Sequence, residues 1–440
     1  MKVKKLLAVV LALTLAVAMF AGCNPNEPAP STANSPQSPA PTTSSQPPSP
    51  TQSTQPSAPT EASPQPLGEP IKIGHIVDLQ GPEAAVGKQA QEALEFAVTA
   101  MGGVFANRPV EIILGDAQGQ PSVARDQAVK MVEQDKVVAI FGPTQMGEKS
   151  AVSDYMKEVE VPLIFYNPTP AGLIMGNPWL VGAGGASAQM PSVMGDYAYK
   201  ELGYRTVHTI GMDNTGGRSF FEPFVEVFEK LGGKVLSQQW APQATADFSP
   251  YFVTLSEADA IVAWTSGSDA IALWNAWFDL GINEKMPIVT PMHGGFTDYF
   301  IPLAIGNGNP AAAEAMLGTF APMMYTYGID NPANQEFVKK WTDEFGKVPG
   351  GTNMPGSVYQ AMLLFKTAVE ATNGDTDPDK LIEAIFKVDV TGPEGHLFFN
   401  NSHAATKDIY IVKLVRLADN SYNYEIVKVY KDIPPAGIGK

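Results

Sequence analysis

The stretch Ile71-Lys-Ile-Gly-His-Ile-Val-Asp-Leu-Gln-Gly81 opens the part of this 440-residue chain that has the composition of a folded protein. Its apolar residues form a nearly continuous run, which is typical of a strand buried on both faces of a sheet. The segment 87–101 follows, and its apolar residues fall on one helical face: Ala90, Ala93, Leu94, Ala97 and Val98. A buried strand followed by such a helix predicts one βα unit of a parallel sheet.

The alternation of strand and helix continues through two series of segments. The first series has strands at 110–114, 137–141 and 162–166 and helices at 122–134 and 149–158. The second has helices at 193–202, 220–231 and 269–280 and strands at 206–212, 234–240, 260–264 and 287–290. We therefore predict an α/β protein with two doubly wound parallel sheets. Strict alternation at 409–417 and 424–430 predicts antiparallel edge strands.

The amino-terminal region has the pattern of an export signal and a tether. Lysines at positions 2, 4 and 5 precede an apolar run at 6–20, which is shorter than the roughly 20 residues of a membrane span. Small residues then lead to Cys23, the only cysteine. We predict a lipoprotein signal peptide at 1–23 with lipid attached to Cys23, because Phe20-Ala21-Gly22-Cys23 resembles a bacterial lipobox. The Pro-, Ser- and Thr-rich residues 24–68 predict a disordered tether.

Composition excludes several classes of function. The net charge is −16, and basic residues cluster only within the first five positions, so nucleic acid is not an expected partner. The five histidines show no i, i+4 pair, and the single cysteine is the predicted lipid attachment site, so thiolate metal sites and thiol catalysis are not expected. Neither a GxSxG motif nor a phosphate-binding loop occurs. We therefore expect no enzyme activity, no cofactor and no metal site.

Five segments, taken in order, resemble one family. They are the opening stretch, Val110-Glu-Ile-Ile-Leu-Gly-Asp116, Ala139-Ile-Phe-Gly-Pro-Thr144, Val161-Pro-Leu-Ile-Phe165 and the late Gly392-Pro-Glu-Gly395. Each is similar to a landmark of the type I periplasmic binding proteins, in the leucine/isoleucine/valine-binding branch. The resemblance covers about residues 71–429, and it depends on the ordered set rather than on any single motif.

The resemblance implies two lobes joined by three crossings and a hinge that closes on a ligand. Lobe 1 would comprise residues 69–188 and 322–395, and lobe 2 residues 189–321 and 396–440, with crossings near 184–190, 318–322 and 391–399. The resemblance also implies that the closed form docks on an ABC permease driven by ATPases on separate chains. We expect a monomer on the outer face of the cytoplasmic membrane, anchored through Cys23.

The resemblance also places a ligand site between the lobes. Its first-lobe contacts would be Gln145, Met146, Gly147, Tyr166 and Thr169, whose loops offer amide N–H groups that suit a carboxylate. In the second lobe, amino-acid-binding members hold the ammonium with aromatic and acidic side chains. The matching positions here are Gly217, Ser266, Met292 and His293, none of which is a carboxylate. Nearby residues suit an apolar or aromatic body: Trp264, Met292, Phe296, Met323 and Tyr325.

Two ligands remain open at this point. The family favours a branched-chain or related amino acid, whereas the residues favour an aromatic or aliphatic acid without an amine. Three other functions also remain open. A ligand sensor would need a separate signalling partner, a hydrolase would need a nucleophile and a base in the cleft, and a structural surface protein is supported only by the long tether.

Overall fold

The computed structural model describes residues 68–81, 83–293, 301–306, 309–350 and 354–439. Cys23, the predicted signal peptide and nearly all of the predicted tether lie outside these residues. The strands are β1 (Ile71–Val77), β2 (Val104–Phe105), β3 (Arg108–Asp116), β4 (Ala139–Phe141), β5 (Leu163–Phe165), β6 (Leu180–Gly182), β7 (Thr206–Met212), β8 (Lys234–Ala241), β9 (Ala260–Trp264), β10 (Ile288–Val289), β11 (Phe320–Met323), β12 (Asp389–Gly392), β13 (Gly395–Phe398), β14 (Thr406–Arg416) and β15 (Tyr422–Ile433).

The helices alternate with these strands. They are α1 (Ala84–Ala100), α2 (Pro121–Lys130), α3 (Met146–Val159), α4 (Ala171–Met175), α5 (Gln189–Lys200), α6 (Thr215–Lys230), α7 (Ser249–Val253), α8 (Gly267–Asp279), α9 (Ile301–Gly306), α10 (Pro310–Ala315), α11 (Pro332–Phe345), α12 (Met354–Ala371) and α13 (Pro378–Phe386). A π-helical turn, Met131–Asp135, extends α2. Among the described residues, no helix is long and apolar enough to cross a membrane.

The first sheet has the strand order β2-β3-β1-β4-β5-β6. All its pairings are parallel except the short β2–β3 pair. Strand β1 is buried along nearly its whole length, as its apolar run predicted. Helix α1 packs on α12, and α2 packs on α3. The chain leaves β1 toward β3 on one side and returns to β4 on the other, so the topological switch point lies between β1 and β4.

The second sheet is wholly parallel, with the order β10-β9-β7-β8. Strands β7 and β9 begin and end where the sequence predicted. Helices α5 and α6 pack against each other beside this sheet. Its switch point lies between β7 and β9. The predicted α/β architecture with two parallel sheets is therefore confirmed.

A third, antiparallel sheet was not expected as a separate unit. It has the order β11-β14-β13-β12, and β15 pairs with β14. The sequence predicted β14 and β15 as edge strands. Instead, their 11 and 12 residues pair with each other along most of their length, and β14 also takes β11 and β13 as neighbours. The predicted number of sheets was therefore wrong.

Four buried polar side chains tie the segments that pass between the sheets. We call Gln189, Ser357, Glu394 and Lys407 the crossing network. The amide of Gln189 donates to the carbonyls of Ala405 and Ile433 and accepts from the N–H of Ala186. The Lys407 ammonium forms an ion pair with Glu394 and donates to Ala183 O. Ser357 of α12 donates its hydroxyl hydrogen to the same carboxylate.

Candidate functional site

Loops at the carboxyl ends of the two parallel sheets approach each other. In open α/β sheets, ligands bind outside the carboxyl ends of the strands at the switch point. Here those ends lead into Asp78 after β1, Thr144 after β4 and Thr265 after β9. A Cβ added to Gly267, the first residue of α8, would stand 4.0 Å from Oε1 of Glu83 in the β1–α1 loop. The loops of the two sheets therefore approach closely at this point.

The amino terminus of α3 forms part of the first wall. Gln145 is its N-cap in an extended conformation, and its side chain makes no capping bond. The first N–H groups of the helix, including those of Met146 and Gly147, have no carbonyl within the helix to accept them. Thr144 is only 8 % exposed, and its Oγ1 has no hydrogen-bond partner among the described residues. This wall therefore offers hydrogen-bond donors and the positive end of a helix dipole.

Tyr166 and its neighbour Asn167 follow β5. Tyr166 is fully buried, and its hydroxyl lies 3.2 Å from Nε2 of His75. Burial holds the pKa of Tyr166 far above its usual value and lowers the pKa of His75 to about 3, so both groups are neutral. Asn167 donates to Thr144 O over 3.1 Å, while its Oδ1 lacks a partner among the described residues. Tyr166 is thus an internal residue, and Asn167 carries an unpartnered polar atom.

Thr169 is already engaged by other parts of the protein. Its hydroxyl accepts from Nζ of Lys149 over 2.8 Å and donates to Asn167 O over 3.1 Å. Its N–H donates to Gly185 O, and its carbonyl accepts from Ser187 N. The structure therefore places Thr169 at a junction between the β5–α4 loop and the first crossing, with all of its polar groups bonded.

A pair of buried carboxyl groups lies at the end of β1. Asp78 and Glu148 are both fully buried, and Oδ1 of Asp78 accepts from Gly119 N over 2.7 Å. Burial, and then the neighbouring Asp78 carboxyl, raises the pKa of Glu148 to about 8. The pair therefore retains one proton at neutral pH, because two adjacent buried carboxylates repel each other. Glu148 was not among the residues that the sequence analysis identified.

Gly217 and Ser266 belong to the wall of the second sheet. Gly217 donates its N–H to Oδ1 of Asn214 over 2.7 Å, and a Cβ there would come within 2.4 Å of Met212 O. Its role in the structure is close packing of α6 on the end of β7. Ser266 directs its hydroxyl toward Sδ of Met212 at 3.5 Å. Thr265 is 4 % exposed, and its Oγ1 has no partner among the described residues.

Aromatic and apolar side chains complete this wall. Trp264 is half-buried and packs edge-on against Phe220, with ring centroids 4.9 Å apart. Met292 is buried beside the same cluster and accepts a bond at its carbonyl from the Thr290 hydroxyl over 2.7 Å. Burial lowers the pKa of His293 to about 4, so its ring is neutral. Its Nδ1 has no partner within the described part of the chain.

The other residues considered from the sequence lie elsewhere or are engaged. Asp213 forms an ion pair with Arg218 at 2.6 Å, and buried Asp269 accepts from Ala244 N at 2.9 Å. Tyr325 packs against α12 and Phe337, inside the core. Met323 is fully buried on β11. Phe296 lies outside the described residues.

The structure thus separates the predicted site residues into two sets. Gln145, Met146 and Gly147 lie at the end of the first sheet, and Trp264, Ser266, Met292 and His293 at the ends of the second. Tyr166, Thr169 and Gly217 are committed to internal contacts. Thr144, Asn167 and Thr265 were not among the individual contacts predicted from the sequence, although each lies within three residues of the end of a buried strand. The described residues contain no group of three possible metal ligands.

Two parallel α/β sheets, with buried polar groups at their carboxyl ends that have no partner among the described residues, are typical of solute-binding proteins. The chain belongs to the periplasmic binding protein family, whose model matches residues 70–420. This membership also confirms the expectation that the chain is a binding protein and not an enzyme. Its role is that of the substrate-binding protein of an ABC transporter, on the extracytoplasmic side of the membrane.

Several relatives and solved structures are similar to this chain. A Leu/Ile/Val-binding protein homolog from Brucella melitensis is 23% identical over 368 residues, which cover 82% of this chain and 92% of the relative. An ABC transporter substrate-binding protein from Sphaerobacter thermophilus has a TM-score of 0.75 at 28% identity, covering 83% of this chain and 99% of that one.

Two further solved structures share the fold and differ in ligand. A solute-binding protein from Rhodopseudomonas palustris, in complex with 4-hydroxybenzoate, has a TM-score of 0.75 at 23% identity and covers 84% of this chain and 99% of its own. A leucine-binding protein from Thermotoga maritima has a TM-score of 0.70 at 22% identity, covering 82% and 99%.

Proposed function

We propose that this chain captures a small carboxylate with an apolar body, an aromatic or aliphatic acid without an amine, for an ABC importer. The observation that carries the proposal is a set of buried strand-end groups that have no hydrogen-bond partner among the described residues. The Thr144 and Thr265 hydroxyls and the first N–H groups of α3 can all donate to a carboxylate. Buried polar groups are normally hydrogen-bonded, so their partner is expected to be the solute.

The second sheet supports the absence of an amine. A buried ammonium requires a carboxylate, and leaving it unpaired costs several kcal/mol. The strand ends of this sheet carry Ser266 and neutral His293 instead. Among the described residues, Asp213 and Asp269 are the acids nearest to those ends in sequence. Asp213 pairs with Arg218 of α6, and Asp269 accepts from Ala244 N in the β8–α7 loop.

The body of the solute would contact the apolar part of the same wall. Trp264 presents a half-buried ring held edge-on by Phe220, and Met292 lies in the same cluster. An indole face and a thioether suit a flat ring or a branched alkyl group. In this proposal, Gln145, Met146 and Gly147 hold the carboxylate, and Trp264, Ser266, Met292 and His293 surround the rest of the molecule. Gly217 packs α6 on the end of β7 and acts on the wall only through that packing.

A branched-chain or related amino acid is the second candidate, because one acid lies close to the opposite loop. Glu83 is half-buried, and Oε1 stands near Gly267 of the second sheet. Burial and the charge of Asp78 raise the pKa of Glu83, and an ammonium beside it would favour its ionised form. The Brucella relative is named for leucine, isoleucine and valine.

We further propose that the mature chain is monomeric and begins at a lipid-bearing Cys23. The tether would then place two lobes, 69–188 with 322–395 and 189–321 with 396–440, at a distance from the membrane where they can meet the permease. At about 3 Å per residue, an extended tether would reach on the order of 100 Å. Metabolic labelling with a fatty acid in wild type and Cys23→Ser tests the anchor, since only the wild type should be labelled.

A thermal-shift screen tests the ligand class directly. The chain, freed of bound solute in denaturant and refolded, is melted with benzoate, 4-hydroxybenzoate, a branched short-chain acid, leucine and valine. Stabilisation by one of the amine-free acids, with no shift from leucine or valine, is the expected result. Stabilisation by leucine or valine alone would contradict the amine-free ligand and favour the second candidate.

A further inference from the structure

A buried lysine lies near the amino terminus of α3, the part of the molecule proposed to bind the carboxylate. Lys149 is the fourth residue of α3 and is 1 % exposed. Its Nζ donates to Thr169 Oγ1 over 2.8 Å and to Pro168 O over 3.3 Å, and it lies 4.9 Å from the centroid of the Phe165 ring. These partners are all neutral. No described carboxylate lies within 4.0 Å of this ammonium.

The position of Lys149 is unfavourable for the empty protein in two ways. Lysine is almost never fully buried unless an anion pairs with it, because the charged form loses its hydration. The first turns of a helix also carry the positive end of the dipole, which repels a cation. Both penalties would become favourable interactions if an anion were bound at the amino terminus of α3.

A second observation also points to a ligand at this place. Thr144, immediately before the N-cap of α3, is more than nine-tenths buried, and its hydroxyl has no partner in the described part of the chain. Asn167 lies in the same loop as Pro168 and Thr169, the partners of Lys149, and it donates a hydrogen bond to Thr144 O. This bond joins the β4–α3 loop to the β5–α4 loop, beside the Thr144 hydroxyl that has no partner among the described residues. Lys149 donates to the second of these loops.

We infer that Lys149 makes the first wall selective for an anionic headgroup, holding a carboxylate at the start of α3 by its charge and by positioning Thr169. This inference rests on the proposed function and adds the residue that discriminates an acid from its neutral amide. The attraction would be stronger than at the surface, because Lys149 is buried and buried charges are poorly screened. It must also outweigh the one negative charge that the Asp78–Glu148 pair carries.

Calorimetry with matched acid–amide pairs tests the inference. The probes are 4-hydroxybenzoate with 4-hydroxybenzamide, and leucine with leucinamide, titrated into wild type, Lys149→Met and the control Glu148→Gln. Whichever pair the wild type binds, the acid should lose at least about tenfold in affinity in Lys149→Met, and the amide much less. Glu148→Gln, on the same helical turn, should keep the preference for the acid.

The outcomes separate this inference from the proposed function. Binding of leucine instead of 4-hydroxybenzoate would contradict the amine-free ligand, yet the leucine pair would still test Lys149. Equal losses for acid and amide in a folded Lys149→Met protein would overturn the inference and leave a structural role. An unchanged acid affinity would overturn it as well, while the wild-type binding would leave the proposed function standing. If the wild type bound none of the four probes, both would fail.

Discussion

Two lysines are equally buried in this protein, and their surroundings differ. Lys407, in the crossing network, is 1 % exposed and pairs with the equally buried Glu394. Lys149, behind the strand ends of the first sheet, is also 1 % exposed but contacts only neutral oxygens and a phenyl ring. Because burial is the same, the presence of a counter-charge is what distinguishes the two positions.

This difference distinguishes the crossing network, where buried polar groups are paired within the chain, from the strand ends, where buried polar groups are expected to pair with a solute. In the crossing network, every buried charge and amide has a partner within the chain, so the network stabilises one arrangement of the crossings. At the strand ends, the hydroxyls of Thr144 and Thr265 are buried without a partner among the described residues. Such incomplete pairing is costly in an empty protein and is expected where a ligand supplies the missing contacts.

The largest effect is expected on breaking the paired lysine. Lys407→Met removes the counter-charge of Glu394 and should lower the free energy of unfolding by about 3–5 kcal/mol. Denaturant unfolding measures this change. The double variant Lys407→Met/Glu394→Gln should recover much of the loss, because no buried charge then remains. A loss below about 1 kcal/mol in the single variant would contradict the importance of the pair.

A smaller effect with a distinctive pH dependence is expected for the unpaired lysine. Burial lowers the pKa of Lys149 from 10.5 to about 7. Between these values the unfolded chain binds more protons than the folded one, so Lys149 makes wild-type stability rise with pH. The unfolding free energy of wild type relative to Lys149→Met should therefore increase above pH 7, by up to about 1.4 kcal/mol per pH unit. A flat difference from pH 7 to 9 would show that the ammonium is not desolvated.

The carboxyl pair should show the opposite trend. The pKa of Glu148 is raised from 4.5 to about 8, so between these values the folded chain binds the extra proton and stability falls as pH rises. Glu148→Gln removes this dependence and should be more stable than wild type at pH 8 by about 1–2 kcal/mol. Unfolding curves at pH 5 and pH 8 measure the change. Greater destabilisation of the variant at pH 8 than at pH 5 would contradict the shared proton.

The smallest effect is expected for a cation that is paired but exposed. His396 lies between Asp389 and Asp432, at 2.8 and 2.9 Å. Burial lowers its pKa, but the two aspartates outweigh burial and leave the pKa raised above 6.5. The stabilisation is present below pH 6.5 and lost as pH rises through the folded value. Because solvent screens the pair, His396→Gln should cost less than about 1 kcal/mol at pH 5.5 and nothing at pH 8.5. A larger loss at pH 8.5 would assign the cost to packing.

The fold could be predicted from local patterns, because buried strands such as β9 are rich in apolar residues and alternate with amphipathic helices. Strands β7 and β9 matched their predicted limits. Strand β6 was not predicted, because its three residues are too few to show a hydrophobic pattern. Helix α6 begins at Thr215, well before the predicted 220. Asn214 caps it, and Gly217 lies in its first turn, where a Cβ would come within 2.4 Å of Met212 O.

The site could be predicted in position but not in detail. That ligands meet the carboxyl ends of parallel strands follows from topology alone. Whether a given polar group there is available depends on contacts between distant segments. Thr169 was expected to contact the solute, yet its hydroxyl accepts a hydrogen bond from Nζ of Lys149, twenty residues earlier. Lys149 itself was predicted at the start of a helix; the helix begins three residues earlier and turns the side chain into the interior.

The measurement that tests this account most directly is a crystal structure of the protein with the acid that most raises its melting temperature. We predict a carboxylate within hydrogen-bonding distance of the N–H groups of Met146 and Gly147 and the Thr144 hydroxyl, with the apolar body against Trp264. A carboxylate bound only by the second sheet, or an ammonium beside Lys149 at the start of α3, would contradict it.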